Sequence, residues 1–213
     1  MSTLRPPAPR DAASPLGGST LCAGFADPVH ESQRAFRAAL DALARPGTLV
    51  SLGAEVPGVA LQPATAHLLL TLSDETTPVW WQPADAPTVQ WLRFHTGAPL
   101  SPHLQGAAFA VLAASTGMPA LECFSMGSAE SPEQSVTLLI EVPSLESGPV
   151  TVWSGPGIAD TATVGIAGLP QGFWAQWQSN HALFPQGVDV IFCCGARAIG
   201  LPRSTRVQAP KGA

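Results

Sequence analysis

The chain has 213 residues, a length that suits one α/β domain with a core of its own. It carries a net charge of −5 without any run of Lys and Arg, which excludes the usual electrostatic surface of a nucleic-acid-binding protein. No apolar stretch reaches the roughly 18 residues of a membrane span, and the spacing of the four cysteines is not that of a disulfide framework. We therefore expect a cytoplasmic protein that binds neither membranes nor nucleic acid.

The low content of charged residues leaves two explanations open. Only 12% of the residues are charged, about half of the ~25% that is usual for soluble proteins. Either the composition is biased toward Ala, Gly and Pro, or partner chains cover part of the surface, because neutral surfaces tend to associate.

The predicted organisation is a single domain between two irregular ends. Residues 1–20 are rich in Pro and Gly without any periodicity, which predicts a disordered leader. Residues 208–213 predict a flexible tail. Neither a linker nor an internal repeat interrupts the stretch between them, so residues 21–207 are expected to form one α/β domain.

The first helix has the clearest boundaries in the sequence. Asp27 suits the N-cap, Pro28 suits the first helical position, and Arg45-Pro46-Gly47 ends the helix. Four apolar residues fall on one stripe at helical spacing: Val29, Phe36, Leu40 and Leu43. This pattern predicts an amphipathic helix with that stripe as its apolar face.

The remaining elements alternate between helices and strands. A second helix over Ala64–Leu72 has leucines too crowded for one face, which indicates a buried helix. A later helix is expected around Phe173–His181. The predicted strands are Thr48–Leu52, Pro78–Trp81, Ala108–Leu112, Val136–Val142, Val150–Trp153, Val188–Cys193 and Ala198–Leu201, the last pairing with the one before. Together they favour a layered α/β domain with a mixed sheet.

Several enzyme classes lack the residues that their chemistry requires. The only lysine is Lys211, in the predicted tail, which nearly excludes Schiff-base and pyridoxal-phosphate chemistry, and without any tyrosine no phenol can act as an acid or base. Gly155-Pro156-Gly157 has neither Rossmann nor Walker spacing, and His30-Glu31 lacks the second histidine of a zinc helix. We predict no metal and no cofactor.

Three polar clusters remain as candidate anion- or ligand-binding sites. The first contains Asp74 and Thr77, whose alternative interpretation is a turn that ends a helix. The second is Arg93-Phe94-His95-Thr96: in an extended conformation Arg93 and His95 share one side and suit an anion, with Thr96 on the other side. A hydrogen-bonded pair at a strand end is the alternative.

The third cluster follows the last predicted strand. It contains Arg203, Thr205 and Arg206 and could bind a phosphate or a carboxylate. A charged, protected sheet edge is the alternative.

Eight segments in order resemble one known family. They are Phe25–Val29 with Ser32-Gln33 and Phe36-Arg37, Ala44–Gly47, Leu70–Asp74 with Thr77–Trp80, Leu92–Thr96, Thr137–Val142, Gly155–Ile158, Phe184–Asp189 and Leu201–Thr205. From about Phe25 to Val207 the chain resembles the PhnH family, the H subunit of the bacterial carbon–phosphorus lyase system. The departures are Ser204, where threonine is expected, and a longer leader.

The resemblance implies a fold and a set of partners. The implied fold is a three-layer α/β/α sandwich like the large domain of pyridoxal-phosphate-dependent transferases, without the cofactor. The implied partners are a second copy of the chain and the G, I and J subunits. With G, I and L, such subunits are required when a phosphonate displaces adenine from ATP and gives ribose 1-methylphosphonate 5-triphosphate.

Two functional hypotheses follow from these observations. The first is a non-catalytic but required subunit of a carbon–phosphorus lyase core complex in phosphonate catabolism, for which the resemblance supplies no catalytic residue. The alternative is a subunit or enzyme that binds a phosphonate or nucleotide through an Arg/His anion site.

Overall fold

A computed structural model describes residues 22–82 and 84–209; the predicted leader and the last four residues of the predicted tail lie outside the described residues. The helices are α1 (Pro28–Ala44), α2 (Pro63–Leu72), α3 (Ala86–Thr96) and α4 (Phe173–Ala182). The strands are β1 (Leu49–Ser51), β2 (Val79–Gln82), β3 (Phe109–Ala113), β4 (Thr137–Glu141), β5 (Val150–Ser154), β6 (Ala162–Gly165), β7 (Asp189–Cys194), β8 (Arg197–Leu201) and β9 (Arg206–Gln208). Gln208, the first residue of the predicted tail, belongs to β9.

The main sheet is mixed, as predicted from the sequence. Its six strands lie in the order β1-β8-β7-β4-β3-β2. Strands β2, β3, β4 and β7 run parallel to one another, β8 returns antiparallel to β7, and β1 pairs antiparallel with β8. The parallel strands are apolar on both sides, because both faces of the sheet are covered.

Three helices cover the first face of this sheet. Leu68 and Leu69 of α2 and Trp91 of α3 are fully buried against Leu139 and Ile191 of the central strands. The buried character of α2, predicted from its crowded leucines, is confirmed.

The second face carries α4 together with a smaller antiparallel sheet, ordered β6-β5-β9. Trp153 of β5 and the α4 residues Phe173 and Trp177 are buried there with Phe192 of β7. The expected α/β/α sandwich is therefore wrong for this layer, which is part helix and part sheet. Strands β6 and β9 are only 4 and 3 residues long, too short to show a period-2 pattern in the sequence.

Helix α1 is oriented differently from the expectation that the largest apolar residues face the core. Asp27 caps the helix as predicted, its Oδ1 accepting the His30 N–H at 3.2 Å. However, the buried face consists of Ala35, Ala39 and Ala42. A Cβ on Gly200 of β8 would lie 2.5 Å from the Ala42 carbonyl oxygen, so helix and strand approach so closely that only small residues fit.

In the part of the chain that the structure describes, no helix is both long and apolar enough to cross a membrane.

Candidate functional site

The three predicted polar clusters lie at the same edge of the main sheet. The first precedes β2, the second ends α3 beside it, and the third follows β8. This is the edge where the parallel strands begin, whereas ligands of open α/β sheets usually bind at the edge where they end. Three strand spacings separate β7 from β2, roughly 14 Å, so the third cluster does not form one site with the other two.

The first cluster is a hydrogen-bonded turn at the end of α2. The Asp74 carboxylate accepts the N–H and the hydroxyl of Thr76, both at 2.8 Å, and the Thr77 hydroxyl accepts the Asp74 N–H at 2.6 Å. The Thr76 hydroxyl and N–H lower the pKa of Asp74. These side chains satisfy one another and the backbone, which supports their interpretation as a helix-end turn.

The second cluster is helical, so the extended conformation considered for Arg93–Thr96 is wrong. Asp85 caps α3, and Gly97 ends it with a left-handed backbone. Residues two positions apart on a helix point in widely different directions, so Arg93 and His95 do not share a face. The Thr96 hydroxyl donates to the Leu92 carbonyl at 2.8 Å.

His95 binds the start of the described chain. Its Nε2 donates to the Cys22 carbonyl oxygen at 3.0 Å, and the indole N–H of Trp91 donates to the Ala23 carbonyl at the same distance. A Cβ on Gly24 would lie 2.8 Å from the His95 ring. His95 therefore holds residues 22–24 against α3, with Nε2 occupied.

Arg203, in the third cluster, is hydrogen-bonded on all five of its N–H groups. Its Nε and one Nη donate to the Asp189 carboxylate, that same Nη also donates to Ser135, and the other Nη donates to the Pro132 and Pro185 carbonyls at 2.8 and 3.3 Å. Only 14% of the Arg203 side chain and 20% of the Asp189 side chain are exposed. Arg203 joins its own loop to residues 132–135 and 185–189, and it has no N–H left for a ligand.

Thr205 is fully buried, and its hydroxyl has no hydrogen-bond partner among the described residues. Its carbonyl accepts the indole N–H of Trp177 at 3.0 Å, which attaches α4 to the loop before β9.

Arg206 has a different environment, in a cavity that sequence analysis did not predict. Its Nε donates to Nε2 of His181 at 3.3 Å, and Nδ1 of His181 donates to the Arg203 carbonyl at 2.8 Å. The cavity has a volume of about 280 Å³ and is lined by Pro156, His181, Phe184, Ser204 and Arg206. We call it the Arg206 cavity.

Comparison of the chain with known proteins tests the resemblance of the eight segments. The family described as "Bacterial phosphonate metabolism protein (PhnH)" matches residues 23–208. The chain belongs to the PhnH family. A relative from Rhizobium meliloti (strain 1021), named "Alpha-D-ribose 1-methylphosphonate 5-triphosphate synthase subunit PhnH", is 37% identical over 187 residues, 86% of this chain and 94% of the relative.

A second relative has a related name. It is the "Putative C-P lyase subunit protein HtxG" of Stutzerimonas stutzeri, 38% identical over 88 residues, which are 41% of this chain and 45% of that protein. The family match and the first relative confirm the family predicted from the eight segments, and the second relative is named as a subunit of the same lyase system.

Four of the segments that resemble the PhnH family meet around the Arg206 cavity. A Cβ on Gly157 would lie 2.0 Å from the Ala44 carbonyl oxygen, and one on Gly155 would lie 3.0 Å from the Ser204 carbonyl. The Gly155–Gly157 turn thus packs against the end of α1 and the loop before β9, and this packing places Pro156 at the cavity. The segments that meet are Ala44–Gly47, Gly155–Ile158, Phe184–Asp189 and Leu201–Thr205.

The opposite edge of the sheet, where the parallel strands end, contains a partly buried carboxyl group. Glu141 ends β4 and accepts the Gln62 N–H at 2.7 Å, at the start of α2. Burial raises the pKa of Glu141, although the hydrogen bond from Gln62 opposes the shift. Burial also raises the pKa of the neighbouring Cys193 thiol to about 12, so this thiol behaves as a small apolar group.

Glu141→Gln is expected to make stability less dependent on pH. A carboxyl whose pKa is raised by folding destabilises the fold as pH rises through that pKa, and imposes no such cost below the pKa of the unfolded chain. The variant should therefore gain stability relative to the unmodified protein between about pH 4 and pH 8. Urea unfolding at both pH values measures this.

Glu130→Gln is the control, because Glu130 is exposed. The quantity compared is the difference in free energy of unfolding between the Glu141→Gln variant and the unmodified protein. A difference that becomes less favourable to the variant from pH 4 to pH 8 would contradict the prediction.

Proposed function

We propose that this chain is a non-catalytic subunit of a carbon–phosphorus lyase complex. In that complex it supports formation of ribose 1-methylphosphonate 5-triphosphate from ATP and methylphosphonate. The observation that carries the proposal is the relative named as a subunit of that synthase, which aligns over 94% of its own length. The proposed partners are a second copy of this chain and the G, I and J subunits.

Helix α1 supplies a surface for such association. Val29, Phe36 and Leu40 lie on one stripe of the helix and are 62%, 47% and 51% exposed. We call these three residues the α1 apolar face. Contiguous exposed apolar residues mark interaction sites more often than scattered ones do, because their burial releases water from apolar surface.

The sequence of α1 supports a second copy as one occupant of this face. In an antiparallel pair of α1 helices, Val29 of one copy meets Leu40 of the other, with the two Phe36 rings between them. The same arrangement brings Glu31 in the first turn of one copy close to Arg37 in the middle of the other. Such self-complementarity is what a twofold interface requires.

The Phe36→Ser/Leu40→Ser double variant is expected to weaken association at least tenfold. Each apolar side chain that is buried at an interface contributes about 1.5–3 kcal/mol. The experiment is co-expression with the G, I and J counterparts, a tag on this chain alone, and native mass spectrometry of the recovered species. The unmodified chain should be recovered in a stoichiometric complex, and alone as a dimer.

Phe94→Ser is the matched control, because Phe94 is a 66% exposed phenylalanine on α3, outside the α1 apolar face. Circular dichroism of each variant is the control for correct folding. An unmodified chain recovered as a monomer without partners would contradict the proposed function. If the double variant still forms the dimer and the complex fully, the proposed role of the α1 apolar face is contradicted, but the proposed function is not.

We also propose that the fold is related to the large domain of pyridoxal-phosphate-dependent transferases, without the cofactor. The parallel strands with helices on one face support this relationship. The absence of an internal lysine supports a chain that forms no aldimine, because Lys211 is the only lysine. An aldimine absorption band after addition of pyridoxal phosphate would contradict it.

The proposed location is the cytoplasm. All four cysteines are free thiols, including the adjacent pair Cys193 and Cys194, which fits a reducing compartment.

A further inference from the structure

We propose that the Arg206 cavity binds a small molecule that combines a phosphoryl or phosphonyl group with an aromatic ring, such as a nucleoside monophosphate. This site is independent of the association through α1.

The guanidinium of Arg206 is held in place and remains available to an anion. A carbonyl oxygen can only accept, so the Arg203 carbonyl requires a proton on Nδ1 of His181, and in the neutral ring Nε2 then accepts from Arg206 Nε. Among the described residues, no carboxylate forms an ion pair with Arg206. Its two Nη groups can therefore donate to phosphoryl oxygens as a fork.

The surrounding structure makes this arrangement rigid. Asn180 is buried and bonds both the N–H and the carbonyl of Val188, at 2.8 and 3.0 Å, which fixes the end of α4. The hydrogen bond from Trp177 to the Thr205 carbonyl fixes the loop before β9. His181 and Arg206 thus project from two elements that are attached to each other, and a preorganised site loses less entropy on binding.

The other lining residues indicate the rest of the ligand. Ser204, which carries a hydroxyl, and Phe184, which is 60% exposed, both line the cavity. An exposed phenylalanine stacks with bases, whereas a bare phosphate gains nothing from it. The volume of 280 Å³ lies just below the ~300–1,000 Å³ that is usual for ligand sites, so the ligand must be small, with little more than one phosphoryl group and one ring inside the cavity.

Isothermal titration calorimetry of the full-length chain tests the site, with AMP, ribose 5-phosphate, adenosine and methylphosphonate as probes. We expect AMP to bind most tightly, because it has both the ring and the phosphate. Arg206→Ala should weaken AMP binding at least tenfold. Phe184→Ala should weaken AMP binding several-fold and leave ribose 5-phosphate unchanged.

Arg93→Ala is the matched control, because Arg93 is an exposed arginine outside the cavity. Failure of the unmodified chain to bind AMP, or equal AMP binding by Arg206→Ala, would overturn the proposal. Tighter binding of ribose 5-phosphate than of AMP would overturn the role of Phe184. Recovery of the Arg206→Ala chain with its partners, as for the unmodified chain, separates this result from the assembly function.

Discussion

Replacement of Arg203 by alanine is expected to lower the free energy of unfolding by about 3–5 kcal/mol. The substitution removes one partner of a largely buried ion pair and leaves the Asp189 carboxylate without its counter-charge. It also leaves the carbonyls of Pro132 and Pro185 and the Ser135 hydroxyl without their donor. A buried acceptor that loses its donor incurs its full desolvation cost. Urea unfolding followed by tryptophan fluorescence measures the loss.

Arg206→Ala is the control for this measurement. Arg206 is the same residue type three positions later, but it is exposed, and its side chain makes a single hydrogen bond to the described residues, to His181. Its removal should cost less than about 1 kcal/mol. Equal losses for the two variants would show that Arg203 is not the structural link that its contacts indicate.

Gly157→Ala is expected to lower the free energy of unfolding by about 2–5 kcal/mol, for two separate reasons. Gly157 has φ of +82°, in the left-handed region. This conformation raises the free energy of the folded state for residues other than glycine, least so for asparagine and aspartate. In addition, the new Cβ would lie 2.0 Å from the Ala44 carbonyl oxygen, which is backbone and cannot rotate away. The turn or α1 must therefore move.

Two other glycines separate these contributions. Gly172 has φ of +83° with no atom within 4 Å of the new Cβ, so Gly172→Ala reports the backbone strain, about 1–2 kcal/mol. Gly200→Ala in β8 reports the steric clash, because its Cβ would meet the Ala42 backbone at 2.5 Å without a left-handed φ. The loss for Gly157→Ala should exceed each of these. A loss no greater than that of Gly172→Ala would show that the turn adapts to the contact with α1.

The central strands could be predicted from the sequence because the apolar runs that form them are continuous and bounded by turn residues. The predicted strand Val188–Cys193 differs from β7 by one residue at each end, and its pairing with Ala198–Leu201 is confirmed. Helix α3 was missed, although Asp85 at the N-cap and Gly97 at the end both mark it.

The orientation of α1 could not be predicted from its own residues. The period of the apolar stripe predicts the helix, but the choice of buried face depends on the surface that the helix meets. That surface includes Gly200, which leaves room for Ala35, Ala39 and Ala42 and excludes larger side chains. Which face of α1 is buried is therefore determined by Gly200, a residue near the other end of the chain.

The candidate site shows the same limit. Arg203 and Arg206 cannot be distinguished by residue type, yet Asp189, Ser135 and the carbonyls of Pro132 and Pro185 occupy the N–H groups of Arg203, whereas the Nη groups of Arg206 have no such partners among the described residues. His181 and Phe184 gave no separate signal, because only the packing of α4 beside β9 brings them to Arg206. The segments around this cavity are among those that resemble the PhnH family, but the sequence did not indicate that they meet in space.

The topology of the main sheet also determines when its parts can fold during synthesis. Strand β1 pairs with β8, and α1 rests on the same strand, so the part of the domain that is made first waits for one of the last strands to leave the ribosome. Pairings between distant segments form slowly and leave apolar surface open to aggregation in the interval. We expect the nascent chain to depend on a chaperone until β8 emerges, and chains that are truncated before Arg197 to aggregate rather than fold.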